Sequence, residues 1–211
     1  MIQSKNDLKY YLECDRIALR SQTKKPRFMR DEIWRFQILL RKREYLNNCA
    51  PSNNIIHKLF HKFYELILHV KYNRLSLKLG FSIPLNVFGP GLSIAHCGTI
   101  VVAGKARVGS NCRIHEGVTI GATNGTSDAA TIGDNVFIGS GAKIIGGVKI
   151  SSNVQIAANC VVVKDIISDK GCTVGGVPAK VISSNTSELN LVKATELVNY
   201  MSTKLPDNSI K

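Results

Sequence analysis

Of the five histidines in this chain, His96 and His115 are the two whose setting could do chemistry. An imidazole titrates near neutral pH, so a histidine within reach of a hydroxyl can take its proton as that oxygen attacks an electrophile. His96 lies in Leu92-Ser93-Ile94-Ala95-His96-Cys97-Gly98-Thr99, just after Pro90 and Gly91, and His115 follows nineteen residues later. A polar run, Ala122-Thr123-Asn124-Gly125-Thr126-Ser127-Asp128, comes next, and loops of this kind tend to carry function. His57, His61 and His69 fall on a segment of helical spacing, where surface or core roles suffice for them. No metal is expected. A metal-dependent site would need a third histidine near the first two, residues 81–180 hold only His96 and His115, and the six cysteines form no C-x-x-C pair.

The element that must position these histidines has a period of six. Val102, Val108, Ile114, Ile120, Ile132, Ile138, Ile144, Ile150, Ile156 and Val162 share one phase, broken only at Thr126. A second column holds Ile100, Ala106, Cys112, Val118, Ala130, Val136, Ala142, Val148, Val154 and Cys160, broken only at Asn124. One large and one small inward residue per six suits a short strand and a turn, three of which close a triangular coil of about eighteen residues. Polar corner sequences such as Gly109-Ser110-Asn111, Gly133-Asp134-Asn135 and Ser151-Ser152-Asn153 supply the turns. The interruption at 124–126 marks the polar run as an excursion from the coil. His96 falls in the inward phase, so a regular coil would bury it as a structural histidine. Pro90 and Gly91 suggest instead that the coil is only beginning there. His115 belongs one coil further on, near the same face.

Before Gly80 the apolar residues recur at helical spacing, Ile33, Phe36 and Leu40 in one segment and Ile56, Phe60, Phe63, Ile67 and Val70 in another. Asp31 is a candidate N-cap, Ala50-Pro51-Ser52-Asn53 a turn, and Gly80 a stop. The organisation expected is a helical region over 1–80, a β-helix over 81–182, and a tail over 183–211 with a short helix around Leu189, Val192, Leu197 and Val198. Lys and Arg outnumber Asp and Glu by 28 to 15, mainly before residue 80. That excess favours polyanions: cofactor phosphates, or the headgroups of a membrane-borne substrate. Nucleic acid is not expected, since no helix-turn-helix, finger or sheet-platform signature accompanies the basic residues. The cysteines read as reduced thiols, with Cys112 and Cys160 inward. Together with a polar N-terminus and the lack of a bilayer-length apolar run, this fits a cytoplasmic location.

The hexapeptide columns, together with Gly175-Gly176-Val177-Pro178-Ala179-Lys180, resemble the hexapeptide-repeat acyltransferases. Leu92 to Val102, followed by Val118-Thr119-Ile120-Gly121, is similar to the serine acetyltransferase branch and its relatives in surface-polysaccharide gene clusters. The resemblance implies a left-handed parallel β-helix and acetyl-CoA as donor. It further implies His96 as the base that deprotonates an acceptor hydroxyl for direct attack on the thioester, with His115 as a second active-site group. It implies a homotrimer, alone or paired into a hexamer, with sites where neighbouring β-helices meet. CoA would then lie against Gly121, Gly139, Ala157, Gly176 and Pro178, with Lys164 or Lys180 near a phosphate.

Departures from the serine enzymes shape the expected acceptor. Phe81 and Ala95 stand at the positions of two aspartates, one that orients the histidine and one that precedes it. Asp128 and Ala129 lie near the place of an Arg-His pair that helps hold serine. Ile210 is followed by Lys211, so the cysteine synthase partnership made through a terminal isoleucine is not expected. A serine acceptor needs charged partners, whereas a sugar hydroxyl needs only neutral ones, which Thr123, Asn124, Ser127 and Asp128 could offer. The reading is therefore an O-acetyltransferase acting on a sugar in surface-polysaccharide assembly. The alternatives are serine O-acetylation and a non-catalytic β-helix scaffold.

Overall fold

The computed structural model describes residues 1–27, 29–49, 54–123 and 127–204. Three helices open the chain, α1 (Lys5–Ala18), α2 (Glu32–Asn48) and α3 (Ile55–Leu79), and α4 (Ala194–Lys204) closes it. The Ser4 hydroxyl caps α1 by accepting from the Asp7 amide; the polar composition of the first ten residues hid this helix from the sequence reading. Asp31 stands at the N-cap of α2, but its carboxylate accepts from the Arg27 backbone and guanidinium instead of the helix. Gly80 ends α3 in the left-handed conformation, φ 78°, that glycine adopts without penalty. The expected turn at Ala50 to Asn53 lies outside the described residues.

Beyond Gly80, short strands stack into three faces. The first runs Phe81–Ser82, Ile100–Val102, Thr119–Gly121, Lys143–Ile145 and Val161–Val162. The second holds Arg107–Val108, Thr131–Ile132 and Lys149–Ile150. The third runs Ser93–Ile94, Arg113–Ile114, Phe137–Ile138, Gln155–Ile156 and Thr173–Gly175, and Lys180–Ser183 folds back antiparallel on its last strand. All other pairs are parallel. Register advances by eighteen residues where the coil is regular, as from Phe137 to Gln155 and on to Thr173. It advances by twenty-four across the polar excursion, as from Thr119 to Lys143. Both sequence columns point inward, and every described residue in them is buried, Ile114, Ile120, Ile138, Ile144 and Ile156 completely. At about 25 cal/mol per Å² of apolar surface removed from water, this stack dominates the stability of the coil. At the edge between the second and third faces Asn111, Asn135 and Asn153 adopt φ of 57°, 55° and 62°. Their side-chain amides bond one to the next at 2.9 and 3.0 Å. Asparagine tolerates this backbone better than other residues with a Cβ, which explains its recurrence.

The helical layer grips the start of the coil. Phe36 stacks on Tyr72 (5.1 Å between centroids) and meets Phe81 edge-on (5.0 Å), so Phe81 serves the core. Arg41, fully buried, binds Asp15 at 2.8 Å and Glu44 at 2.9 Å and donates to the carbonyls of Phe88 and Gly89. The other oxygen of Asp15 accepts from the amides of Gly91 and Leu92. The chain leading to His96 is thereby fixed by four charge-assisted bonds. The apolar stripe of α3 is largely uncovered within this chain: Ile56, Phe60, Phe63 and Val70 are exposed, and Leu68, Tyr72 and Leu79 are the buried residues. The tail helix packs on α1 of its own chain, through Ala194, Val192 and Val198 against Cys14, Ala18 and Tyr10. Among the described residues, no helix is long and apolar enough to cross a membrane.

Candidate active site at one edge of the coil

His96 is exposed, and the reason is an irregular corner. In the following coils the passage from third face to first face takes three residues, as between Ile114 and Val118, Ile138 and Ala142, or Ile156 and Cys160. Between Ile94 and Ile100 it takes five. The two extra residues, with Gly98 at φ 140°, carry His96 out of the inward phase to which the period of six would assign it. The alternative of a buried structural histidine is excluded by this geometry.

His115 and Glu116 occupy the corresponding corner of the next coil. The rings of His96 and His115 meet edge to face at 5.5 Å, and His115 also packs on Phe137 at 5.1 Å. One nitrogen of each histidine and one carboxylate oxygen of Glu116 lie within 4.8 Å of one another. Gly98 makes this approach possible, because a Cβ there would come within 2.9 Å of the Glu116 Cβ. Burial, with help from the nearby Arg113 charge, pushes the His115 imidazole below its ordinary value, so it is neutral at pH 7. The Glu116 carboxyl is held below the usual range, first by its own backbone amide and then by Ser140, and is ionised. Glu116 Oε2 and His115 Nε2 are shielded from water and have no hydrogen-bond partner. An enclosed carboxylate oxygen without a donor is costly, and an imidazole N–H is the donor nearest to hand. The sequence reading missed Glu116 because it looked for acids only at positions 81 and 95. His96, His115 and Glu116 lie close enough to share a ligand, but the serine acetyltransferase likeness calls for no metal there.

The remaining expected residues divide between two edges. Gly139, Ala157, Gly176 and Pro178 continue the His96 edge coil by coil; Val161 bonds to Gly176 and Ala179 across it, and Lys180 begins the final strand there. At Gly176 a Cβ would meet nothing nearer than Pro178 O at 3.5 Å, so the edge is open. Gly121, Asp128 and Lys164 lie at the far edge of the first face, where the chain passes to the second, and are not joined to His96 within one chain. Asn124 lies outside the described residues. A cavity of 520 Å³, unforeseen from the sequence, adjoins His96 through Ala95 and Cys97 and is walled by Arg20, Arg27, Arg30, Trp34 and their neighbours.

Residues 129–164 match the bacterial transferase hexapeptide (six repeats) family. A serine acetyltransferase of Synechococcus elongatus is 38% identical over 143 residues, 64% of this chain, and the chain spans 58% of that relative's length. Among solved structures, serine acetyltransferase from Brucella abortus strain S19 superposes with a TM-score of 0.63 at 28% identity, over 87% of this chain and 72% of that one. The same enzyme in complex with coenzyme A gives 0.63 at 26% identity, over 86% and 70%. The Neisseria gonorrhoeae serine acetyltransferase in complex with serine gives 0.61 at 26%, over 83% and 69%. These likenesses imply a left-handed coil. They also overturn the sugar acceptor and the surface-polysaccharide role, because the relatives matched are serine acetyltransferases. The error lay in judging the acceptor only from aligned positions: Glu116 stands beside both histidines, and the cavity next to His96 is lined by arginines from other elements. The chain is a hexapeptide-repeat β-helix with the fold of the serine acetyltransferases.

Proposed function

We propose that this chain is an acetyl-CoA-dependent serine O-acetyltransferase with His96 as general base. The observation that carries the reading is the exposed His96 beside ionised Glu116 and neutral His115, at the head of an edge that continues in small residues. His96 takes the proton from the serine hydroxyl as its oxygen attacks the acetyl carbonyl carbon. The C–S bond then breaks, and the imidazolium returns a proton to the CoA thiolate. Glu116 accepts from the other ring nitrogen and stabilises the imidazolium that forms. Backbone N–H groups of the corners face the developing oxyanion. Acetyl-CoA lies along Gly139, Ala157, Gly176 and Pro178, with Lys180 near a phosphate. Gly121, Asp128 and Lys164 would join this site only from a neighbouring copy, as the expected trimer would provide. Use of acetyl-CoA fits a cytoplasmic enzyme.

The test is thiol release from acetyl-CoA with L-serine, with O-acetylserine identified by mass spectrometry. His96→Ala is expected to lower turnover by about a hundredfold or more. Turnover that survives this change, or no turnover of serine by the wild type, rejects the assignment.

A further inference from the structure

We propose that the cavity beside His96 is the acceptor's carboxylate-binding site, built by the helical region from Arg20 and Arg30. The proposal rests on the serine reading for the identity of the acceptor, and on the charges of the cavity for the rest. The 520 Å³ space is lined by Arg20, Arg27, Arg30, Asp31, Glu32 and Trp34, and by Ala95 and Cys97 on either side of His96. Volumes of this order suit small-molecule sites. Its two acids are already engaged: Asp31 holds Arg27 at 3.1 Å, and Glu32 holds Lys78 at 2.6 Å. Arg20 and Arg30 form no salt bridge among the described residues; the Arg30 charge helps hold the Asp31 carboxyl low, but the lining still carries three guanidinium groups against two carboxylates, one of which is held by Lys78. Trp34, only 5% exposed, adds an indole N–H with no hydrogen-bond partner. An enclosed, unpartnered donor in a lining with an excess of guanidinium charge calls for an anionic acceptor of hydrogen bonds, and a carboxylate fits the guanidinium fork. With both acids engaged, the described lining offers an ammonium group no free carboxylate.

The acceptor is thus read by its carboxylate and not by its amine. Trp34 is the only tryptophan in the chain, so its emission reports occupancy without any need for turnover. L-serine and glycerate should each give a saturable change in emission, and serinamide should give none. Arg20→Ala combined with Arg30→Ala should raise the dissociation constant of both ligands and the KM for serine about tenfold or more, with a much smaller change in kcat. His96→Ala should bind as the wild type does. Both arginines are exposed, so the fold survives their loss, and ligand-free emission checks that it has. Equal response to serine and serinamide, or unchanged affinity in the double variant, overturns the proposal. A saturable response to glycerate without serine turnover would reject the activity while upholding the carboxylate site.

Discussion

Replacing Arg41 by leucine should be among the most damaging single changes outside the coil. The guanidinium has no exposed surface and makes bonds of 2.8 Å to Asp15, 2.9 Å to Glu44, 2.8 Å to the Phe88 carbonyl and 2.7 Å to the Gly89 carbonyl. Removing one partner of a buried ion pair typically costs about 3–5 kcal/mol. Here the carboxylates keep other donors, the Gly91 and Leu92 amides for Asp15 and the Asn86 amide for Glu44, which places the loss near about 3 kcal/mol. For a chain of this size that is a fall of roughly 6–12 °C in Tm. Urea unfolding followed by Trp34 emission and by circular dichroism measures it. Adding Asp15→Asn and Glu44→Gln to the leucine variant should recover part of the stability, because neutral amides need no counter-charge. A loss under about 1 kcal/mol, or no recovery in the triple variant, would refute the view that this network anchors the coil.

Three further outcomes are expected. Glu116→Gln should lower kcat by less than His96→Ala does while leaving the KM for acetyl-CoA near its original value; an unchanged kcat would remove Glu116 from the mechanism. Because His115 is depressed in the folded chain, its contribution to stability is present above the unfolded value of about 6.5 and is lost as pH falls through the lower folded value. Urea midpoints between pH 7.5 and 5 should therefore fall more steeply in the wild type than in His115→Asn, and equal slopes would contradict this. Maleimide labelling followed by peptide mass spectrometry should find exposed Cys97 modified first, while buried Cys112, its thiol pushed up to about 12 by desolvation, resists until the chain unfolds.

How far the site could be read from the sequence depended on whether its determinants were periodic. The columns from Val102 to Val162 and from Ile100 to Cys160 predicted the coil because each inward position demands the same thing, an apolar side chain of fixed size. Gly80 was legible as a stop because its backbone conformation selects glycine. His96 stood out by its motif, but its exposure was not legible: two residues added to one corner shift the phase, and a period count cannot see where a coil departs from it. Glu116 was invisible for a related reason. Its partner His96 is twenty residues away in sequence yet adjacent in space, and the search for an acid followed aligned positions instead of the stacking. The α3 stripe shows the reverse limit: helical spacing identified the helix, but spacing alone does not say what covers its apolar face, most of which this chain leaves exposed.

Stacked corners also explain why one edge can hold a whole reaction. Each coil returns to that edge and adds one short corner about 4.8 Å beyond the last, so residues far apart in sequence form a line whose order is fixed by backbone pairing. Along it come His96, then His115 and Glu116, then Gly139 and Ser140, then Ala157, then Gly176, so that the groups able to move protons stand at one end and small residues occupy the rest. The helical layer reaches only the proton-moving end, through Ala95, Cys97 and the Asp15–Arg41 anchor. An acceptor held by that layer and a long donor lying along the small residues would therefore meet at His96 and nowhere else. Insertion of one further regular eighteen-residue coil between Ile138 and Ile144 should consequently leave acceptor binding to the Trp34 cavity unchanged while weakening acetyl-CoA, because it lengthens only the donor's side of the line. Equal loss of both would mean that the two ligands are not held by separate layers.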